Sequence, residues 1–227
     1  NVIVAIHQPQ YLPWLGYFNK IYQADAFCYL DNVQYKKNEW QNRNRIKTAN
    51  GWQWITVPVK YRFPQKINNV KINNNENWRK KHLRTIITNY SKAPFFNDYI
   101  GIFEDVYSKD WITIPDLNIS IIERVCQIIN FVDKNTVRAS SLDVSDDPTD
   151  RLIDICKSLG GDTYLSGRDG ANYMNLDRFK ERGIEVVFQD FQHPEYQQLF
   201  NGFQSHMSII DIIFNCGPES INLITSG

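Results

Sequence analysis

Five residues, Val2 to Ile6, form an unbroken apolar and largely β-branched run that breaks off into the polar loop His7-Gln8-Pro9-Gln10-Tyr11-Leu12-Pro13, and this junction constrains the fold most. Such a run reads as a strand buried on both faces of a parallel sheet rather than as the alternating strand of a half-exposed one. From Trp14 to Ala24 the apolar residues Leu15, Phe18, Ile21 and Tyr22 fall at helical spacing, and Ala26 to Leu30 is a second buried run ending at Asp31. Strand, loop, helix and strand in about 30 residues make one βαβ unit, whose crossover is right-handed.

Trp52 to Val59 predicts a third strand, at an edge or in a hairpin, after a turn at Asn50-Gly51. From Glu76 to Asp133 the period becomes helical: Trp78, His82, Ile86 and Tyr90 share one face, as do Ile119, Ile122, Val125 and Ile129 later. The βα alternation then resumes. Thr136 to Ala139 predicts a strand, and Asp147-Pro148-Thr149 opens a helix that Gly160-Gly161 stops. Thr163 to Leu165 predicts a strand, Tyr173 to Arg182 a helix, and Ile184 to Phe188 a last strand. The expected fold is one α/β domain over residues 1–227. Its sheet is doubly wound and mostly parallel, with residues 76–133 as a mainly helical insertion or lid.

With 25 basic and 25 acidic side chains the net charge is zero, so no global field draws in nucleic acid or an anionic membrane. No apolar run approaches the roughly 20 residues of a spanning helix, and no secretory leader is visible, so a cytoplasmic protein is expected. The four cysteines form no C-x-x-C pair and are expected as buried free thiols. The four histidines show no zinc spacing, and no metal site is expected.

In an open parallel sheet ligands bind beyond the carboxyl ends of the strands, which singles out three segments. The first is the loop after strand one, His7 to Trp14, where His7, Gln8, Gln10, Tyr11 and Trp14 combine an imidazole, two amides and two large aromatics between two prolines; His7 is the candidate for proton transfer. The second follows strand two, from Asp31 and Gln34 through Arg43, Asn44, Arg45 and Lys47. Here five basic residues within twelve positions, read as a loop, suit phosphate. The third runs Ser166-Gly167-Arg168-Asp169-Gly170-Ala171-Asn172-Tyr173, where two glycines permit close backbone approach before a helix. His193, after the last strand, is expected to add an imidazole to the same rim.

The segments HQPQYLPWLGYF (His7 to Phe18), DNVQYKK, NRNRIKT, YLSGRDGANY, HPEY and SIIDIIFNCG (Ser208 to Gly217) together resemble the WbqC-like family. That resemblance implies a place among proteins of bacterial surface-polysaccharide (O-antigen) biosynthesis. A weaker likeness is to the pantothenate synthetases of the HIGH-motif nucleotide-binding superfamily, which implies a Rossmann-like, HUP-like sheet and carboxylate activation by ATP. Gln34-Tyr35 matches the Q-F pair of those enzymes, and Gly167-Arg168-Asp169 stands for their G-x-K-D with arginine for lysine. Where they carry H-x-G-H this chain has Tyr11-Leu12-Pro13-Trp14, so the two phosphate-contacting histidines are missing.

The leading reading is an enzyme that forms an amide by acyl or aminoacyl transfer to a nucleotide-linked amino sugar, with ATP and magnesium as candidate cofactors. His7, Gln34 and Asp31 would be catalytic. The arginines, Lys47 and the Ser166 to Tyr173 turn would hold phosphate or sugar. The alternatives are a non-catalytic binding or assembly protein that keeps a nucleotide-binding fold, and a nucleotidyltransferase. Convergence of His7, Arg43 and Asp169 on one cleft is the expectation of any enzyme reading; scattered placement favours the binding protein.

Overall fold

The computed structural model describes residues 1–227. In chain order it contains β1 (Ile3–His7), α1 (Leu15–Gln23), β2 (Ala26–Tyr29), β3 (Arg43–Thr48), β4 (Gly51–Thr56), β5 (Val59–Lys60) and β6 (Lys71–Ile72). Then follow α2 (Trp78–Tyr90), α3 (Phe96–Ser108), α4 (Ile114–Ile128), β7 (Asn135–Arg138), α5 (Pro148–Ser158), β8 (Thr163–Ser166), α6 (Leu176–Glu181), β9 (Glu185–Phe188), α7 (Ile209–Cys216) and α8 (Ser220–Thr225).

Five strands form one sheet in the order β7-β2-β1-β8-β9, and every neighbouring pair is parallel. The first strand of the chain lies in the middle, the chain builds outward on one side and then returns to the other, which is a doubly wound Rossmann-like sheet. The strand alternation sorts the two faces. Val4, Ile6, Cys28 and Tyr164 pack with Ile153, Cys156 and Phe179 of α5 and α6. Ala5, Phe27, Tyr29 and Leu165 pack with Leu15 and Phe18 of α1 and with α4 and α7. Each large side chain withdrawn from water here contributes roughly 1.5–3 kcal/mol. That is why the three inner strands are near-continuously apolar: β1, β2 and β8 are buried on both faces, whereas the outer β7 and β9 are partly exposed.

The helical stretch expected between residues 76 and 133 is three helices, α2 to α4, and its residues Ile86, Tyr90, Phe103 and Ile122 share one core with α1 and α7. Thr113 caps α4 by accepting from the Asp116 N–H, with Pro115 in the first turn. Asp147 caps α5 in the same way, and Gly160, at φ +69°, ends it. The helix expected from Tyr173 is shorter. A 3-10 turn at Gly170–Asn172 comes first, and Asn175 then caps α6 at the Arg178 N–H.

One segment differs in kind from its sequence reading. Arg43, Asn44, Arg45 and Lys47 lie not on a loop but on β3, which pairs antiparallel with β4 from Arg43↔Thr56 to Thr48↔Gly51. The reason is period two: Asn44 and Ile46 are buried while Arg43 and Arg45 turn to the other face, beside Trp52 and Trp54 of β4. Pro58 has no N–H to donate, and β4 ends two residues before it.

Candidate functional site

The connection order reverses between β1 and β8, and their carboxyl ends, His7 and Ser166, flank the switch point where open α/β sheets bind ligands. A cleft of about 460 Å³ opens there. Ile6, Leu30, Val33, Leu152, Tyr164 and Met174 give it an apolar wall, and Gln8, Gln34 and Ser166 add polar groups. Lys36 and Arg151 supply two cations, Tyr173 stands 80% exposed at the edge, and no carboxylate lines it. Gly170 is required for this shape, because a Cβ there would overlap the Ser166 hydroxyl.

The pleat of β1 places Ile6 and Gln8 on the cleft and turns His7 to the opposite face, against α1. There the Lys20 ammonium donates to His7 Nδ1 at 3.3 Å and to the Ile6 carbonyl at 3.5 Å. Nε2 then keeps the ring proton; the Gln10 side-chain nitrogen lies 3.1 Å from it while Gln10 Oε1 has no partner, so a half-turn of that carboxamide gives the Nε2–H its acceptor. Burial, and secondarily the Lys20 charge, hold the His7 pKa well below the usual histidine value. Burial alone lowers Lys20 to about 8, since no carboxylate compensates it.

Gln10 also borders a second, smaller cavity of about 220 Å³, formed with Trp14, Trp40, Arg45 and His206. Trp14 stacks on His206 and His193, and the His206 backbone N–H donates to His193 Nε2 at 3.1 Å. Gly16 lets the Trp14 indole lie across the first turn of α1, where any Cβ would collide with it.

The residues singled out in the sequence are thus divided. Gln8, Gln34, Ser166 and Tyr173 line the switch-point cleft, with Gly167, Asp169 and Asn172 in the same turn; Arg168 is exposed and paired with Asp190 at 3.2 Å. Trp14 and Arg45 line the indole-walled cavity, His193 stands behind it, and Arg43 lies over Trp54 at 3.9 Å. His7 sits between the two. His7, Arg43 and Asp169 therefore share no single cavity.

Others lie within the protein. The Tyr11 hydroxyl is fully buried, donates to His82 Nδ1 at 2.7 Å and meets Tyr107. Asn44 donates to the Tyr11 carbonyl at 3.1 Å. The Lys47 ammonium donates to the carbonyls of Phe200 and Gly202. Asp31 accepts from the backbone N–H and hydroxyl of Ser140, tying the end of β2 to the turn after β7.

Sequence reasoning missed Lys20, Trp40 and His206, while Gln10 and Lys36 lay within the segments it singled out. Gly16, Asn19, Lys20 and Gln23 form a polar helical face that reads as solvated. In the folded chain α8 and Gln189 cover it: Asn19 donates to the Ile224 carbonyl, and Gln189 donates to Gly16 and Asn19. That four-residue polar face beside a βαβ turn was the available signal for Lys20.

The fold defines a Rossmann-like α/β protein with a cleft at its switch point. The chain belongs to the WbqC-like protein family, whose model matches residues 8–223. It is similar to a Mycobacterium tuberculosis protein described as "Uncharacterized protein Rv1507c", 38% identical over 223 residues, which cover 96% of this chain and 95% of that protein. No solved structure matches. No helix is long and apolar enough to cross a membrane.

Proposed function

We propose that this protein is a transferase of bacterial surface-polysaccharide biosynthesis, acting in the cytoplasm, that binds a nucleotide or nucleotide-linked sugar in the switch-point cleft and forms an amide on an amino sugar. The observation that carries this reading is the cleft itself: an apolar wall for a base and the Lys36 ammonium for phosphate, with Arg151 beside it held by Asp146 at 3.8 Å, at the end of the sheet where such ligands bind. ATP with magnesium is the cofactor where the acyl donor needs activation; the cleft has no carboxylate of its own, so the magnesium would be carried by the phosphates.

Lys20 and His7 supply the proton chemistry. While Lys20 holds its third proton it donates to Nδ1, and His7 Nε2–H is only a donor. Once Lys20 is neutral the ring proton moves to Nδ1 and Nε2 gains a lone pair that accepts a proton from an attacking amine. Lys20 is thus a positioning residue, and transfer is expected to rise through a pH of about 8. Lys20→Met removes that step from the pH profile if the reading is right and leaves it in place if it is wrong.

The direct test is a thermal-shift and calorimetric screen against ATP, AMP, and UDP- and dTDP-linked sugars, with and without magnesium. A bound ligand raises the melting temperature by mass action, and the shift should vanish in Lys36→Ala/Ser166→Ala. ATP binding with magnesium points to carboxylate activation and pyrophosphate release, whereas binding of a nucleotide sugar alone points to direct transfer. No binding to any of these removes the proposal.

A specific observation favours a second reading. His7, Arg43 and Asp169 do not face a common cavity, as a protein that binds without catalysis would allow. Ligand binding that is unchanged in His7→Ala, with no turnover of any bound ligand, selects this reading.

A further inference from the structure

Around the smaller cavity the side chains are arranged in an unusual way. The Arg45 guanidinium lies 5.4 Å from the Trp40 ring and 5.3 Å from the Trp52 ring, and Arg43, two residues earlier on the same face of β3, lies 3.9 Å over Trp54. Indole faces therefore hold both cations by cation–π attraction, and neither has a carboxylate partner. Arg43 donates to the Asn38 carbonyl at 2.6 Å and Arg45 to that of His206 at 3.4 Å, while the Nε of each is buried without any acceptor. Buried donors of this kind are ordinarily paired. The three indoles are 36%, 41% and 37% exposed, so a face rich in binding energy is left open beside two unspent cations.

We infer that this cavity binds one pyranose ring carrying an oxyanion, a carboxylate or a phosphate. The oxyanion pairs with the Arg45 guanidinium where it lines the cavity, the ring's C–H face covers Trp40, and Gln10 and His206 meet the hydroxyls. The geometry favours a sugar over a nucleobase. Of the three indoles only Trp40 lines the cavity; Trp54 and Trp52 stand beside it, Trp40 and Trp54 inclined at 50° and Trp52 and Trp54 at 90°, so the surface around the mouth is faceted and offers no parallel slot for a flat base. At about 220 Å³ the cavity is smaller than the roughly 300–1,000 Å³ of a drug-sized site, which suits a single ring. Gln10 borders this cavity and faces His7, so the ring lies one side chain from the imidazole. The inference rests on the proposed transferase only for the sugar's role as the acceptor.

The test is a tryptophan-fluorescence titration of the full chain with glucuronate, glucose 1-phosphate, glucose and AMP, with saturation-transfer NMR to show which protons touch the indoles. Glucuronate or glucose 1-phosphate should bind about tenfold more tightly than glucose, and the arm that binds identifies the oxyanion. Arg45→Ala should lose about that factor. Trp40→Ala, at a surface indole whose removal leaves β3 intact, should weaken binding comparably. Equal affinity for glucose, binding unchanged in both variants, or displacement of the sugar by AMP overturns the inference. Nucleotide binding in the switch-point cleft is read separately by the thermal shift. Sugar binding without nucleotide binding sinks the transferase reading alone, and the reverse sinks this inference alone.

Discussion

Lys20 and Asp211 are both charged groups withdrawn from water, 4% and 0% exposed, and their surroundings differ sharply. Asp211 accepts from Tyr90 at 2.9 Å, Tyr196 at 2.6 Å and Gln198 at 2.7 Å, with Lys47 as a nearby charge. Burial raises its pKa and these donors oppose the rise. Lys20 has one carbonyl at 3.5 Å and one imidazole nitrogen at 3.3 Å. The carboxylate is compensated and belongs to the architecture of α2, α7 and the 196–198 segment. The ammonium is left short, beside the switch point, which is the condition expected of a group kept for chemistry rather than for stability.

The sharpest way to break that contrast is at Asp211. Asp211→Ala leaves the buried Tyr90 hydroxyl and the half-buried Tyr196 and Gln198 donors without their acceptor, and a loss of about 3–5 kcal/mol is expected in urea denaturation. A loss below about 1 kcal/mol would mean that the network is not what holds these elements together.

Lys20→Met should act in the opposite direction. It replaces a buried, under-compensated cation by an apolar side chain of similar length, so stability near neutral pH should rise by about 1–3 kcal/mol while the step near pH 8 in transfer disappears. The pH dependence separates this from simple better packing. Lys20 titrates at about 8 when folded against 10.5 for an ordinary lysine, so between those values the unfolded chain holds a proton that the folded one has released. Its contribution to parent stability rises with pH across that window. The advantage of Lys20→Met should therefore shrink from neutral pH toward 10.5, measured by parallel denaturations of the two proteins. A gap that stays constant would show that the charge is not what Lys20 costs.

The same contrast explains what could be read from the sequence. The sheet was legible because Val2 to Ile6, Ala26 to Leu30 and Thr163 to Leu165 are locally unambiguous, and Asp147-Pro148 and Gly160 mark the ends of α5. The loop after β1 lies at the switch point of the sheet. Its division was not legible, since only the pleat of β1 decides that Gln8 faces the cleft and His7 faces α1. Arg43 and Arg45 looked like loop cations because their indole partners, Trp52 and Trp54, arrive across a hairpin turn. Lys20 looked solvated because only the fold turns its ammonium back onto the Ile6 carbonyl and His7, and because α8, which covers Asn19 beside it, lies some two hundred residues away in the chain.

Arg168 carries the smallest expected effect and sharpens the contrast from the exposed side. It stands where the G-x-K-D pattern has lysine, yet its guanidinium is 68% exposed and its partner Asp190 is 80% exposed. Such a pair is screened by water and salt and pays in side-chain order what it gains in attraction. Arg168→Ala should leave the denaturation midpoint unchanged. If the Gly167 to Tyr173 turn meets phosphate, nucleotide affinity should fall by no more than about fivefold at low salt, and the difference should fade as salt is added. A larger, salt-resistant loss would mean that Arg168 is drawn out of water when ligand binds, leaving Asp190 for the phosphate. The functional cation of the turn would then be Arg168 and not Lys36, and the cleft would close over its ligand from the β8 side.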